Sequence, residues 1–176
     1  LFRQYEFDKC IKASTFPCRW ASDSGMGYGE PLFNYYGQFP YWVGQVFRSM
    51  GFQVIDSVKI VFILSLVLSA VFMFLLARNY WGNVGAVISA LFYVYAPYRA
   101  VDVWVRGNLS ESLAFMFYPL ILYALEKKKP IILSLSLAGL ITTHNLSLFM
   151  FAPFLVIFWI TLSTRPSLKW TIPPPL

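Results

Sequence analysis

Ser57–Ala77 reads SVKIVFILSLVLSAVFMFLLA, and this stretch decides the fold class. A helix that crosses a bilayer needs about 20 apolar residues, with a range of about 17–25. Here the only charge, Lys59, sits near one end, where its stem lets the ammonium reach water. The rest of the chain agrees. It has 176 residues, of which 58% are hydrophobic, 19% aromatic and 12% charged. Mean hydropathy is +0.60. A soluble domain carries about 25% charged residues. Half that figure excludes a soluble enzyme with a solvated surface and a disordered chain. Two cysteines are too few for a disulfide-stapled secreted domain. The expected fold class is all-α: a polytopic helical membrane protein with about five transmembrane segments.

Working outward, Trp81–Tyr98 is the second expected span. Its small residues Gly82, Gly85, Ala86, Ser89 and Ala90 let a neighbouring helix approach closely. Leu109–Glu126 is the third, with Glu111 near one end. Pro130–Thr143 and Leu146–Ser163 are the fourth and fifth. At 1.5 Å per residue this last pair supplies two passes of about 25 Å, a little less than the roughly 30 Å core. A re-entrant hairpin therefore stays open beside two full crossings, and in both cases the chain leaves on the side where Pro130 started.

Residues 1–56 are not a span. They are expected to form a loop region with short interfacial helices over Leu1–Ala13 and Phe39–Met50. Between these lies a Gly/Pro/Tyr-rich middle, Gly25-Met-Gly-Tyr-Gly-Glu-Pro31. Leu1 in place of Met, and the proline run at Thr171–Leu176, suggest that both ends are cut from a longer chain. Lys127, Lys128 and Lys129 form the densest short basic loop, which the positive-inside rule places in the cytoplasm. Alternation then sends Arg78, Arg165, Lys169 and a truncated tail over 164–176 to the cytoplasm. Residues 1–56, the loop 99–108 and the turn at His144-Asn145 fall outside. The expected location is the plasma membrane, multi-pass, with the site on the extracytoplasmic face. The net charge of +6 belongs to these loops, and no basic soluble face calls for nucleic acid.

That topology gathers the reactive side chains on one face: Arg19, Trp20, Asp23, Glu30, Asn34, Arg99, Asp102, Arg106, Glu111, His144 and Asn145. Charges at membrane depth are costly and tend to be functional. The loop Ala96–Glu111 (APYRAVDVWVRGNLSE) carries two arginines and two carboxylates. Arg99 and Arg106 are forks suited to phosphate oxygens, with Asp102 and Glu111 to orient them or act on a sugar hydroxyl. An ion pair that merely closes the loop is the plain alternative. Ser110 is the expected N-cap of the next helix. His144, the only histidine, sits at a helix break beside Asn145, either as a hydrogen-bonded structural residue or as part of a site. Tyr28, Phe33, Tyr35, Tyr36, Tyr41 and Trp42 suit either sugar stacking or an interfacial belt. Cys10 and Cys18 are candidates to pair. Two cysteines and one histidine are too few to propose a metal site.

Arg19-Trp20, Gly25–Tyr36 (GMGYGEPLFNYY), Ala96-Pro-Tyr-Arg99, Val105–Glu111 (VRGNLSE) and Thr143-His-Asn145 occur in this order. In combination they resemble a bacterial and archaeal membrane family labelled 6-pyruvoyl-tetrahydropterin synthase-related, over roughly Leu1 to Ser163. The label implies no pterin chemistry here, since the soluble pterin synthase uses three zinc-binding histidines and this chain has one. The family looks like a distant member of the polytopic C-type glycosyltransferases. That implies a polyprenyl-phosphate sugar donor as partner, besides membrane lipid, and transfer on the extracytoplasmic side. It implies no particular cofactor. It places Asp23, Asp102, Glu111 and His144 among candidate catalytic groups. Arg19, Trp20, Tyr28, Asn34, Tyr36, Arg99, Arg106 and Asn145 become candidate substrate contacts. Such enzymes carry an acidic loop after a first helix, which would precede Leu1; otherwise Asp8 or Asp23 serves as base. A fragment of this kind is expected to be inactive alone. A transporter or flippase of a lipid-linked or anionic solute, and a non-catalytic membrane protein, are the rival classes.

Overall fold

The structure is a computed structural model that describes residues 1–164; the expected basic tail with Arg165 and Lys169 lies outside the described residues. Those residues are helical apart from turns and one isolated antiparallel bridge, Ala21 to Glu30. Three helices are long and apolar enough to cross a membrane: Val54–Val94, Leu109–Glu126 and Asn145–Thr164. The fourth apolar helix, Pro130–Thr143, is shorter.

The amino-terminal unit comprises α1 (Phe2–Lys12), the four-residue turn α2 (Leu32–Tyr35) and α3 (Phe39–Ser49). Both longer helices fall where the sequence places them. They form because Phe7 is fully buried and edge-on to Phe33 and Trp42, at 5.3 and 5.0 Å between ring centroids. Such pairs add roughly 0.5–1.5 kcal/mol each to the burial itself. Cys10 and Cys18 are disulfide-bonded, with Cα atoms 5.9 Å apart. Phe39 meets Phe117 of the bundle at 6.0 Å, and α3 packs against the long helix.

That helix, α4 (Val54–Val94), holds a break at Gly82, where φ is 66° and ψ is −168°. This φ favours glycine. The chain turns back there. Phe74, Ala70 and Leu66 face Val87, Leu91 and Val94 across a common cleft in antiparallel order. The first leg, 54–81, is about 40 Å long at 1.5 Å per residue. The second leg ends at Val94, four residues short of the expected boundary.

The expected loop 99–108 is instead helical. After a break at Ala96 (ψ 133°), α5 (Pro97–Ala100) runs into a π-helical stretch, Val101–Arg106. Pro97 explains the break, since proline forces the preceding residue out of the α region. Gly107, at φ 58°, ends the stretch. Cross-links to the first leg fix the depth of these segments. Arg99 bonds Ser69 and Ser65 bonds Ser112. The second leg and residues 97–106 thus make one interrupted helix, with Arg99 near the level of Ser69, about halfway along the first leg.

The chain then descends through α6 (Leu109–Ala114) and α7 (Phe117–Glu126) to the far end, where the Tyr80 hydroxyl donates to Glu126 at 2.6 Å. Helix α8 (Pro130–Thr143) climbs back, and α9 (Asn145–Thr164) returns. Trp159 and Leu162 line a hollow with Lys128 and Lys129, so α9 finishes where α8 began. Gly139 lets α8 lie against the Phe117 ring; a Cβ there would stand 2.4 Å from it.

Candidate functional site

At the end of the bundle opposite the lysines, a groove of about 510 Å³ opens between three parts of the chain. Arg3, Gln4 and Tyr36 come from the amino-terminal unit, Arg106 and Asn108 from the interrupted helix, and His144 from the α8–α9 turn. Gly37 makes this closure possible: a Cβ there would stand 2.3 Å from the Thr143 carbonyl oxygen. The Arg3 guanidinium lies 3.8 Å over the Tyr36 ring, an arrangement that holds a cation without neutralising it.

Behind the groove is a charged cluster. Arg106 Nη1 stands 3.0 Å from Glu111 Oε2 and 3.5 Å from Asp102 Oδ1. It also donates to the Tyr98 hydroxyl at 3.0 Å, and that hydroxyl donates to Glu111. Asn108, not Ser110, is the N-cap of α6. Its Oδ1 accepts the Glu111 backbone N–H at 3.3 Å, while its Nδ2 donates to the Glu111 carboxylate at 2.8 Å. The Asn108 side chain thus caps the helix and also holds the Glu111 carboxylate. Ser110 is buried, with no hydrogen bond to its hydroxyl among the described residues. The Arg106 side chain is 47% exposed and that of Glu111 14%. Arg106 is thus the cation that a ligand can reach, and Glu111 holds it.

Arg99 and Asp102 lie deeper, on the same helical stretch. Arg99 is buried; it donates to Ser69 Oγ at 3.0 Å, and its Cζ is 4.7 Å from the Phe115 ring centroid. Among the described residues its Nε and Nη2 have no hydrogen-bond partner, and the buried Asp102 carboxylate accepts no hydrogen bond, its charge being met by Arg106 at 3.5 Å. Neither lines the groove.

His144 Nδ1 accepts the Ser147 backbone N–H at 3.2 Å and lies 2.7 Å from the Ser147 hydroxyl. That assigns the ring proton to Nε2. Burial holds its pKa below the usual histidine value, which keeps it neutral. The histidine therefore caps α9 and also lines the groove. Asn145 is exposed; its side-chain oxygen accepts the Leu146 N–H.

The remaining sequence candidates stand apart from the groove. The Trp20 indole covers Gly29, whose Cβ would lie 2.4 Å from Nε1. Arg19, Tyr28 and Asn34 are exposed on the outer surface of the amino-terminal unit and do not line the groove. Asp23 pairs with Lys9 at 2.6 Å, and that bond lowers its pKa. Asp8 is buried between Arg48 and Lys12, both at 2.8 Å, with Gln45 at 3.0 Å. Burial acts to raise its pKa, but the hydrogen bonds from Arg48, Lys12 and Gln45 prevail and bring it down to about 2. Such a carboxylate is a structural tie and a poor base. Sequence reasoning missed Arg3, Tyr98 and Asn108. Tyr98 and Asn108 were present in the motifs quoted for the site, whereas nothing local marks Arg3. No family model, curated protein or solved structure matches the chain.

Proposed function

We propose that this chain is the core of a multi-pass membrane enzyme of the glycosyltransferase type, which takes a sugar from a polyprenyl-phosphate carrier. The observation that supports it is the pairing of Arg3 and Arg106 on one groove at one end of an apolar helical bundle. Two guanidinium groups suit a phosphate diester or monoester, and the bundle flank suits its prenyl chain. His144 Nε2–H is a further donor for the phosphate or the sugar. Glu111, Tyr98 and Asn108 act through Arg106 and hold its fork toward the groove. Tyr36 offers its ring edge to the sugar.

In this reading the groove faces the extracytoplasmic side of the plasma membrane. The disulfide of the same unit suits an oxidising compartment, and the lysine triplet at the opposite end suits the cytoplasm. With the Gly82 bend as a turn and α8 as a short crossing, the chain passes the membrane five times. The test is transfer from a polyprenyl-phosphate sugar by the full-length protein. Arg106→Ala and Glu111→Ala abolish transfer while membrane insertion persists; full activity in both variants refutes the reading.

One observation favours transport instead. The interrupted helix buries Arg99 and Asp102 with polar atoms that make no hydrogen bond among the described residues, and broken helices at membrane depth often carry solute sites in transporters. A cysteine at position 106, labelled from each side, separates the two. Access from one fixed side supports the enzyme, and access that alternates with solute supports transport.

A further inference from the structure

At the end of the bundle away from the groove, a hollow of about 680 Å³ lies between α7, α8 and α9. Leu125, Leu133 and Leu162 make its apolar wall, and Trp159, Lys128 and Lys129 its rim. None of Lys127, Lys128 and Lys129 makes an ion pair among the described residues. Glu126, the adjacent acid, accepts a hydrogen bond from Tyr80. Three lysines thus stand beside one acid at this end, and none of them is ion-paired among the described residues.

The turn that presents the lysines is of the Schellman type. The Lys129 N–H bonds the Ala124 carbonyl at 2.8 Å and the Lys128 N–H bonds Leu125 at 3.1 Å. Lys128 stands at φ 52°, in the left-handed region. Glycine or asparagine is the usual residue there, so a lysine is held at the rim at some backbone cost. Lys129 Nζ lies 5.7 Å from the Tyr123 ring centroid, which steadies it without removing its charge.

We propose that this hollow is a binding site for an anionic phospholipid, with the phosphate between Lys128 and Lys129, the glycerol beside Trp159, and the acyl chains along the leucine wall. Basic pockets between helices on the cytoplasmic side are suited to such headgroups. A free phosphate would leave the apolar wall wet, so the occupant is the lipid. The site is separate from the groove and does not depend on whether the groove transfers a sugar.

The test is native mass spectrometry of the full-length protein released from detergent, equilibrated with phosphatidylglycerol, with phosphatidylcholine, or with phosphatidylglycerol plus millimolar inorganic phosphate. The protein is expected to retain phosphatidylglycerol in preference to phosphatidylcholine, with no displacement by phosphate. Lys128→Gln with Lys129→Gln lowers retention by about fivefold per lysine, while Lys127→Gln, whose side chain is outside the hollow, retains it. Circular dichroism checks that each variant stays helical. Equal loss in Lys127→Gln means diffuse surface charge and overturns the site. So do an unaffected double variant, or displacement by inorganic phosphate.

Discussion

Gly37 is where the amino-terminal unit touches the bundle most closely, and Gly37→Ala tests whether that contact builds the groove. A Cβ at this position would lie 2.3 Å from the Thr143 carbonyl oxygen, 2.5 Å from that of Thr142 and 2.6 Å from the Thr143 carbonyl carbon. All three are backbone atoms at the end of α8, so no side chain can swing away. Ordinary contact begins near 3.4 Å, and the two segments must part by about 1 Å. Overpacking of this kind costs about 1–3 kcal/mol. Thr143 is fully buried and adjoins His144, so the displacement opens the groove between Tyr36 and His144. The melting point of the detergent-solubilised protein should fall by about 3 °C per kcal/mol. Binding of a polyprenyl-phosphate sugar should weaken with it. Gly51→Ala serves as a control: it meets no atom within 4 Å, although its φ of 95° carries a local cost. The reasoning is refuted if Gly37→Ala keeps both the melting point and the binding of the parent protein.

Other predictions follow from single contacts. Asn108→Ala removes the cap of α6 and one anchor of Glu111, and should cost about 1 kcal/mol in thermal stability; Ser110→Ala, which loses no hydrogen bond, should not. Asp8 contributes stability that is complete above its unfolded pKa near 4 and drains as pH falls toward about 2. An acid titration followed by circular dichroism should therefore show Asp8→Asn losing much of the transition in that window. Cys10→Ser with Cys18→Ser should lower stability by about 2–3 kcal/mol, and thiol alkylation of the untreated parent protein should label neither cysteine.

Hydropathy alone marked the long helices, because a bilayer-length apolar run has few other readings. The ends of α1 and α3 fall within about two residues of the expected ones; α3 has one apolar face, whereas α1 buries Gln4, Glu6 and Asp8 beside Phe7. Hydropathy missed the helical character of 97–106. Arg99, Asp102 and Arg106 read as loop when solvent is assumed around them, and only the Ser69 contact and the Phe115 ring show that Arg99 lies inside. Ser110 is the expected N-cap by residue type, but the helix already starts at Leu109, so Asn108 takes that position. Within the site, an Arg106–Glu111 ion pair is the plain alternative that the loop sequence offers, and the two side chains meet at 3.0 Å. The joining of Tyr36, Arg106 and His144 depends on Gly37 admitting a carbonyl, which no local pattern displays. Trp20, a candidate substrate contact, lies over Gly29 and stays exposed.

The central claim is that Arg3 and Arg106 hold the phosphate of a lipid-linked sugar in the groove beneath the amino-terminal unit. Direct binding of a polyprenyl-phosphate sugar to the purified full-length protein, compared with Arg106→Ala and Arg3→Ala, tests it. The account predicts at least tenfold weaker binding in each variant, with the helical content unchanged. Equal binding by the parent protein and both variants would contradict it.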